Sequence, residues 1–252
     1  MHTTKHSLGS VPIISMALFF VVWEGMTTLF TVPRFLLPAP HEIILRLSTE
    51  LLHITIWQHM WATFSVAFLG MLLALIIGTG FGWLSYHSQI FYRATGWMIV
   101  GTQAIPVIAV APLLFLWIQN EYWSRVMVTV VITFFPLYAA TYTALQRVPR
   151  ELREVASLEG YSRLDGFTAY EAALALPIIF AGVRSSMILA TTGAVVGEYM
   201  GGRYGLGALI NVARGLFDTT LMFVAVLILI VLTMVFAQLF LWIESAVIRS
   251  VE

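Results

Sequence analysis

The side chains able to do chemistry are few, and most lack the neighbours that catalysis needs. Six histidines stand at positions 2, 6, 41, 53, 59 and 87, outside the long apolar runs. No pair of them has the i, i+4 spacing with a glutamate that makes a zinc-protease helix, so no metal site is expected. Lys5 is the only lysine and cysteine is absent. A Walker A loop needs Gly-Lys followed by Ser or Thr, so the chain cannot hydrolyse ATP by that route. Without cysteine there is no thiolate nucleophile, disulfide or Cys-ligated cluster, and the redox compartment goes unread. Serines and threonines occur in the apolar runs with no histidine or lysine base in the same run, which argues against an intramembrane hydrolase. What remains is Glu24, Arg184 and Glu198 inside apolar runs, and a stretch at 147–166 dense in both charge signs. An ionisable group at membrane depth costs about 2.5–3.5 kcal/mol on insertion scales and points to function by default.

The elements that must position these residues follow from composition. The chain has 252 residues, 60% hydrophobic and 10% charged, with a mean hydropathy of +0.89. Thirteen basic residues balance thirteen acidic ones, which leaves no field for nucleic acid. A helix needs about 20 apolar residues to cross a hydrocarbon core of about 30 Å. Six stretches qualify: 11–30, 61–85, 96–118, 124–145, 178–200 and 219–243. None alternates with a period of two, so barrel strands are excluded. Residues 1–10 carry Lys5 and no small-residue cleavage site, so 11–30 is expected to be a retained span. The predicted fold class is all-α, a polytopic membrane helix bundle of six transmembrane helices, with 1–252 as a single domain.

Arg147, Arg150, Arg153 and Arg163 form the densest basic cluster, so the positive-inside rule places the 146–166 loop in the cytoplasm. Alternation then puts both termini and 86–95 inside, and 31–60, 119–123 and 201–218 outside. Pro33, Pro38 and Pro40 make 32–40 an extended strap. Ile43, Ile44, Leu47 and Leu51 recur from His41 at helical spacing, which reads as a short amphipathic helix on the membrane surface.

On this topology Glu24 and Glu198 both lie toward the outer face. Glu24 is expected to form a structural salt bridge or to snorkel. Glu198 sits among Gly193, Gly197, Gly201 and Gly202, and is read either as a gate in a narrow, flexible outer end or as a surface partner of Arg203. Arg184, near the inner end of its span, is expected to snorkel or to hold the cytoplasmic loop. Thr102, Gln103, Thr191 and Thr192 are the polar side chains that could face a central path. Pro106 and Pro112 should kink the third span and Pro136 the fourth; Pro106 either lines the path or reflects the general tolerance of membrane helices for proline. Gly78 and Gly82, with Gly80 between them, allow a neighbouring helix to approach closely.

The 146–166 loop is the most informative segment. Glu151, Glu154 and Leu158 share one face of a short helix that Gly160 closes. That helix either docks into a partner or is a solvated loop helix whose Arg and Glu pair with one another. The run Glu154-Val155-Ala156, then Gly160, Phe167 and Leu176-Pro177, resembles the Glu-Ala-Ala loop of permease subunits of binding-protein-dependent bacterial ABC importers, which have the MetI-like fold. Trp23-Glu24, residues 35–40, Ile105-Pro106, Ala111-Pro112-Leu113, Phe135-Pro136, residues 179–184, Gly197-Glu198 and Gly205-Leu206-Gly207 are similar to the nitrate, taurine and sulfonate branch. Two departures stand out. Val155 replaces the first alanine, and Ala173 replaces the first of two prolines, so the entry to the fifth span is expected to be a more continuous helix.

The resemblance implies a transporter subunit and not an enzyme. Arg153, Glu154, Ala156, Leu158, Glu159 and Gly160 would couple it to separate ABC ATPase subunits that carry ATP and magnesium, with no cofactor in this chain. Further implied partners are an extracytoplasmic substrate-binding protein, a second copy of the chain and membrane lipid. The implied location is the bacterial cytoplasmic (inner) membrane, multi-pass, with both termini cytoplasmic. The implied mechanism is alternating access, with Gln103, Pro106, Thr191, Thr192 and Glu198 as substrate path or gate. Nitrate, taurine or sulfonate would call for a cation at mid-depth, which the spans lack, while aromatic residues make up 13% of the chain. The solute expected is therefore an uncharged or aromatic one, such as a vitamin or vitamin precursor; the alternative is an anion carried by the same machine. An ion-coupled secondary carrier would need ionisable groups near the midplane, which Glu24 and Glu198 are not. Ala213-Arg214-Gly215 occurs once, on the outer side, which does not fit the scaffold subunit of energy-coupling-factor transporters with its two such motifs.

Overall fold

The computed structural model describes residues 11–30, 32–104, 106–149, 151, 152, 158 and 172–251; at 11–13, 102–104, 172, 173, 243 and 246–251 it describes the backbone alone. All regular structure among them is helical: α1 Val11–Leu29, α2 Pro40–Glu50, α3 Ile54–His87, α4 Gln89–Ala104, α5 Val107–Ile118, α6 Glu121–Gln146, α7 Ala172–Gly201, α8 Leu206–Gly215 and α9 Thr219–Val251. Four of these, α3, α6, α7 and α9, are long and apolar enough to cross a membrane. With α1 and the α4–α5 pair, they are consistent with six spans.

Local chemistry sets the boundaries. Ala39 caps α2 with Pro40 in its first turn, and the Glu42 carboxylate accepts from Ala39 N at 3.3 Å while pairing with Arg34 Nε at 2.7 Å. The third predicted span is not one kinked helix but two. Pro106 has no N–H to donate, adopts an extended conformation (φ −63°, ψ 112°) and starts α5, so the chain breaks there. Pro112, Pro136 and Pro177 by contrast sit inside their helices. Among the described residues the helix runs unbroken from Ala172 through Pro177, in line with the continuous entry expected from Ala173. Gln119 closes α5 in the left-handed region (φ 51°), and Asn120 then caps α6 by accepting from Trp123 N at 3.1 Å.

The segment 201–218, read from sequence as an outer loop, contains α8. Its apolar positions are too few for a span, so it did not register as an element. Asp218 caps α9, accepting from Leu221 N at 3.0 Å.

The core lies where α3 and α7 pack on α6 and α9 packs on α7 and α3, with Val66, Met71, Leu137, Val183, Met187 and Phe236 together. Glycine sets how closely the helices meet. A methyl on Gly70 of α3 would stand 2.5 Å from Thr129 Cβ, and one on Gly193 of α7 would stand 2.8 Å from Thr129 Cα, so α6 is gripped from both sides at one residue. Thr129, Thr133 and Thr141 are buried there and return their hydroxyls to carbonyls one turn back in α6, at 3.1, 2.8 and 2.9 Å. Each polar group is thus satisfied within its own helix. Large apolar side chains cover the outside of the bundle, including Phe19, Trp61, Trp97, Leu116 and Trp242, as a lipid-facing surface requires.

The glycine contacts yield a paired test. A methyl on Gly78 would stand 2.9 Å from Leu137 Cβ and 3.0 Å from Phe134 O, whereas one on Gly80 would meet nothing within 4 Å. Gly78→Ala should destabilise the protein by about 1–3 kcal/mol through overpacking. Gly80→Ala should be neutral or stabilising by up to about 1 kcal/mol through helix propensity. Thermal unfolding of the two variants in detergent checks the difference; equal midpoints would contradict this packing.

Candidate functional site

The densest polar construction among the described residues stands at the end of the bundle where α7 gives way to α8. Glu198, in the last turn of α7, is only 1% exposed. Its Oε2 accepts from Thr63 Oγ1 of α3 at 3.0 Å and from Gly207 N at 2.8 Å. The Thr63 hydroxyl in turn accepts from Leu206 N at 2.8 Å, so it relays between the α8 amino end and the carboxylate. One turn earlier on α3, His59 Nδ1 lies 2.8 Å from Gly205 O and 3.0 Å from Gly205 N, so it engages one or the other according to its tautomer. Gly205 has φ +134°, a conformation open to glycine, and a Cβ there would run into the Glu198 carboxylate.

The α6 amino end closes the other side. Arg125, 6% exposed, donates from Nη1 to Tyr204 O at 2.7 Å and from Nε to Glu121 O at 3.2 Å. Glu121 Oε1 accepts from Arg203 N at 2.7 Å and lies 3.3 Å from Arg125 Nη2. Consecutive backbone groups from Arg203 to Gly207 are therefore held by side chains of α3, α6 and α7. The carboxyl group lies beside the first N–H groups of α8, where a helix amino end offers donors to an acceptor oxygen. Glu198 Oε1 is buried and has no hydrogen-bond partner among the described residues, so the clasp is only partly satisfied. Its hydrogen bonds tie the 203–207 turn to the ends of α3, α6 and α7.

Both sequence expectations for Glu198 change in detail. It is not a surface partner of Arg203, whose backbone N–H goes to Glu121. Nor do the surrounding glycines make a loose end: a methyl on Gly197 would stand 3.0 Å from Arg125 Cα, and one on Gly201 2.7 Å from the Phe115 ring. They are small because neighbours are close. His59, Thr63, Glu121 and Arg125 were missed; the i, i+4 pair Glu121 and Arg125 at the mouth of an apolar run was the available signal.

The other predicted path residues are dispersed. Thr191 is buried and donates to Met187 O at 3.4 Å; Thr192 is exposed and donates to Ile188 O at 3.2 Å. Pro106 is exposed at the α4–α5 break, and the side chain of Gln103 lies outside the described residues. Glu24 engages His41, Oε2 accepting from the backbone N at 3.2 Å and Oε1 lying 2.5 Å from Nδ1. Arg184 pairs with Glu244 of α9 at 2.8 and 3.0 Å. Of the coupling set, Arg153, Glu154, Ala156, Glu159 and Gly160 lie outside the described residues, and Leu158 is 86% exposed.

The described residues form a helical bundle with an apolar outer surface and a polar clasp at one end, the architecture of a polytopic membrane protein. The chain belongs to the family of binding-protein-dependent transport system inner membrane components, whose profile matches residues 70–249. It is 43% identical over 221 residues to the riboflavin transport system permease protein RibX of Chloroflexus aurantiacus, covering 88% of this chain and 82% of that one. It is 33% identical over 196 residues to the formylaminopyrimidine transport permease protein ThiX of Halalkalibacterium halodurans, covering 78% of each. Its fold is that of a chain of the MetNI methionine ABC transporter, with a TM-score of 0.66 at 18% identity over 78% of this chain and 97% of that one. The protein is a multi-pass permease subunit of an ABC importer.

The clasp can be tested through its relay. Thr63→Val removes the hydroxyl while keeping the shape, leaving Leu206 N and Glu198 Oε2 each one partner short, at about 1–3 kcal/mol. A cysteine placed at Tyr204 should then react with an impermeant thiol reagent at least threefold faster in the Thr63→Val background than in the parent. An unchanged labelling rate would show that the relay does not hold the turn.

Proposed function

We propose that this permease imports a small, planar vitamin-type solute delivered by a binding protein. The 43% identity to a riboflavin permease over 88% of the chain carries the reading, and the ThiX likeness, to a permease named for another nitrogen heterocycle, supports it. Charge supports it as well. Arg125 is committed to the Glu121 and Tyr204 contacts and Arg184 to Glu244, so neither is a free cation for an anion path.

The chain works as one domain, and two copies form the path. The 146–166 segment, with Arg153, Glu154, Ala156, Leu158, Glu159 and Gly160, docks into ABC ATPase subunits on the cytoplasmic side, where both termini also lie. Glu198 and its clasp form the outer gate: closed, they pin the 203–207 turn; released as ATP drives the subunits together, they admit solute from the binding protein. Pro106 and Thr192, both exposed on the single chain, lie along the path, and Gln103 and Thr191 complete it.

The test is uptake by proteoliposomes containing the permease and its ATPase, loaded with ATP and supplied with the cognate binding protein. Riboflavin should accumulate, and Glu154→Lys should cut uptake at least tenfold with the complex still inserted and ATP hydrolysis retained. Uptake of an alkanesulfonate in place of riboflavin would overturn the solute reading. Parental uptake by Glu154→Lys would overturn the coupling assignment.

A further inference from the structure

At the opposite end of the bundle, four aromatic rings form a column. Phe134, Tyr138 and Tyr142 repeat at i, i+4 on α6, and their rings stack with centroids 6.2 and 6.0 Å apart and planes 22° and 5° apart. Tyr92 of α4 continues the column onto Tyr142, at 5.2 Å and 4°.

Aromatic stacking of this kind is ordinary interior packing until one asks where it ends. This column ends in a cavity of about 700 Å³ lined by Ser85, Gln89, Tyr92, Arg93, Tyr142 and Gln146, a size suited to a small organic ligand. Tyr92 is 42% exposed there. Ser85 is buried at the cavity wall, and its hydroxyl has no hydrogen-bond partner among the described residues. Arg93 is exposed and forms no ion pair among the described residues. The wall therefore offers a stacking face, a cation, two amides and a hydroxyl, the set that recognises a flat ring with an acceptor-rich or anionic edge.

We propose that this cavity is a binding station for a planar fused nitrogen heterocycle, which extends the tyrosine column from Tyr92 and turns its acceptor edge or phosphate to Arg93. The station rests on the orientation and solute class given under Proposed function, which place it at the cytoplasmic mouth, beside the start of the segment that meets the ATPase. Ligands of this chemistry have two sources on that side: the imported solute with its phosphorylated form, and adenine nucleotides.

The probe is FMN, added to the permease–ATPase complex in lipid nanodiscs without the binding protein and read by quenching of flavin fluorescence. The parent should bind FMN saturably. Tyr92→Leu should weaken binding at least tenfold, while Tyr92→Phe, which keeps the ring, stays within twofold. Arg93→Gln should weaken FMN at least fivefold and riboflavin, which lacks the phosphate, by less. Absence of saturable binding, or Tyr92→Leu and Arg93→Gln variants that bind as the parent does, would overturn the station. Displacement of FMN by an equal concentration of AMP would overturn its assignment to the solute class. Riboflavin uptake by the same preparation is scored separately: FMN binding without uptake removes the solute reading and keeps the station, and uptake without FMN binding does the reverse.

Discussion

A carboxylate that cannot reach water must be held by donors, and at the end of α7 this requirement organises four helices. Glu198 draws Thr63 of α3 and the amino end of α8 onto one oxygen, and the Thr63 hydroxyl passes the constraint to Leu206. Arg125, buried at the start of α6, fixes the same turn from the far side through Tyr204. A backbone turn at the boundary of the hydrocarbon region has few ways to satisfy its N–H and C=O groups. Here side chains from three helices supply the partners. Among the described residues Glu198 Oε1 has no partner, which leaves the arrangement short of full satisfaction.

The clasp can hold only because the helices beneath it are already close. Gly70 and Gly193 bring α3 and α7 onto Thr129, and Gly197 brings α7 onto Arg125, next to Glu198 itself. In lipid, association of helices relies on close packing because there is little hydrophobic gain to drive it. The two ends of α6 then serve different purposes. One end carries Arg125 into the clasp; the other carries Tyr138 and Tyr142 toward the cavity at Tyr92. Rigid α6 thus links a polar latch to an aromatic column through a threonine-lined, glycine-gripped middle.

Much of this was legible from hydropathy, because a span is a run of about 20 apolar residues and needs no tertiary knowledge. The helix over α2, the continuous entry through Pro177 and the packing role of Gly78 and Gly82 were all readable from local chemistry. The break at Pro106 was read as a kink, since proline alone does not reveal whether neighbours restore the lost bond. The α8 helix was hidden because 10 residues are too short to register as a span. Glu198 stood out by its charge in an apolar run. Its partners did not: Thr63 is 135 residues away in sequence, and a lone threonine in a span carries no signal. The proposed coupling role of 146–166 rests on the family likeness and not on local chemistry.

The proposed gate holds the turn around Glu198 at rest and releases it when the ATPases close. Hydrogen exchange at the amides of Leu206 and Gly207 reports this directly, since both N–H groups are donated to clasp side chains. In the nucleotide-free complex these amides should exchange slowly, and in the vanadate-trapped complex at least tenfold faster, while the α6 core around Thr129 stays protected in both. Equal protection of the turn in the two states would contradict the account.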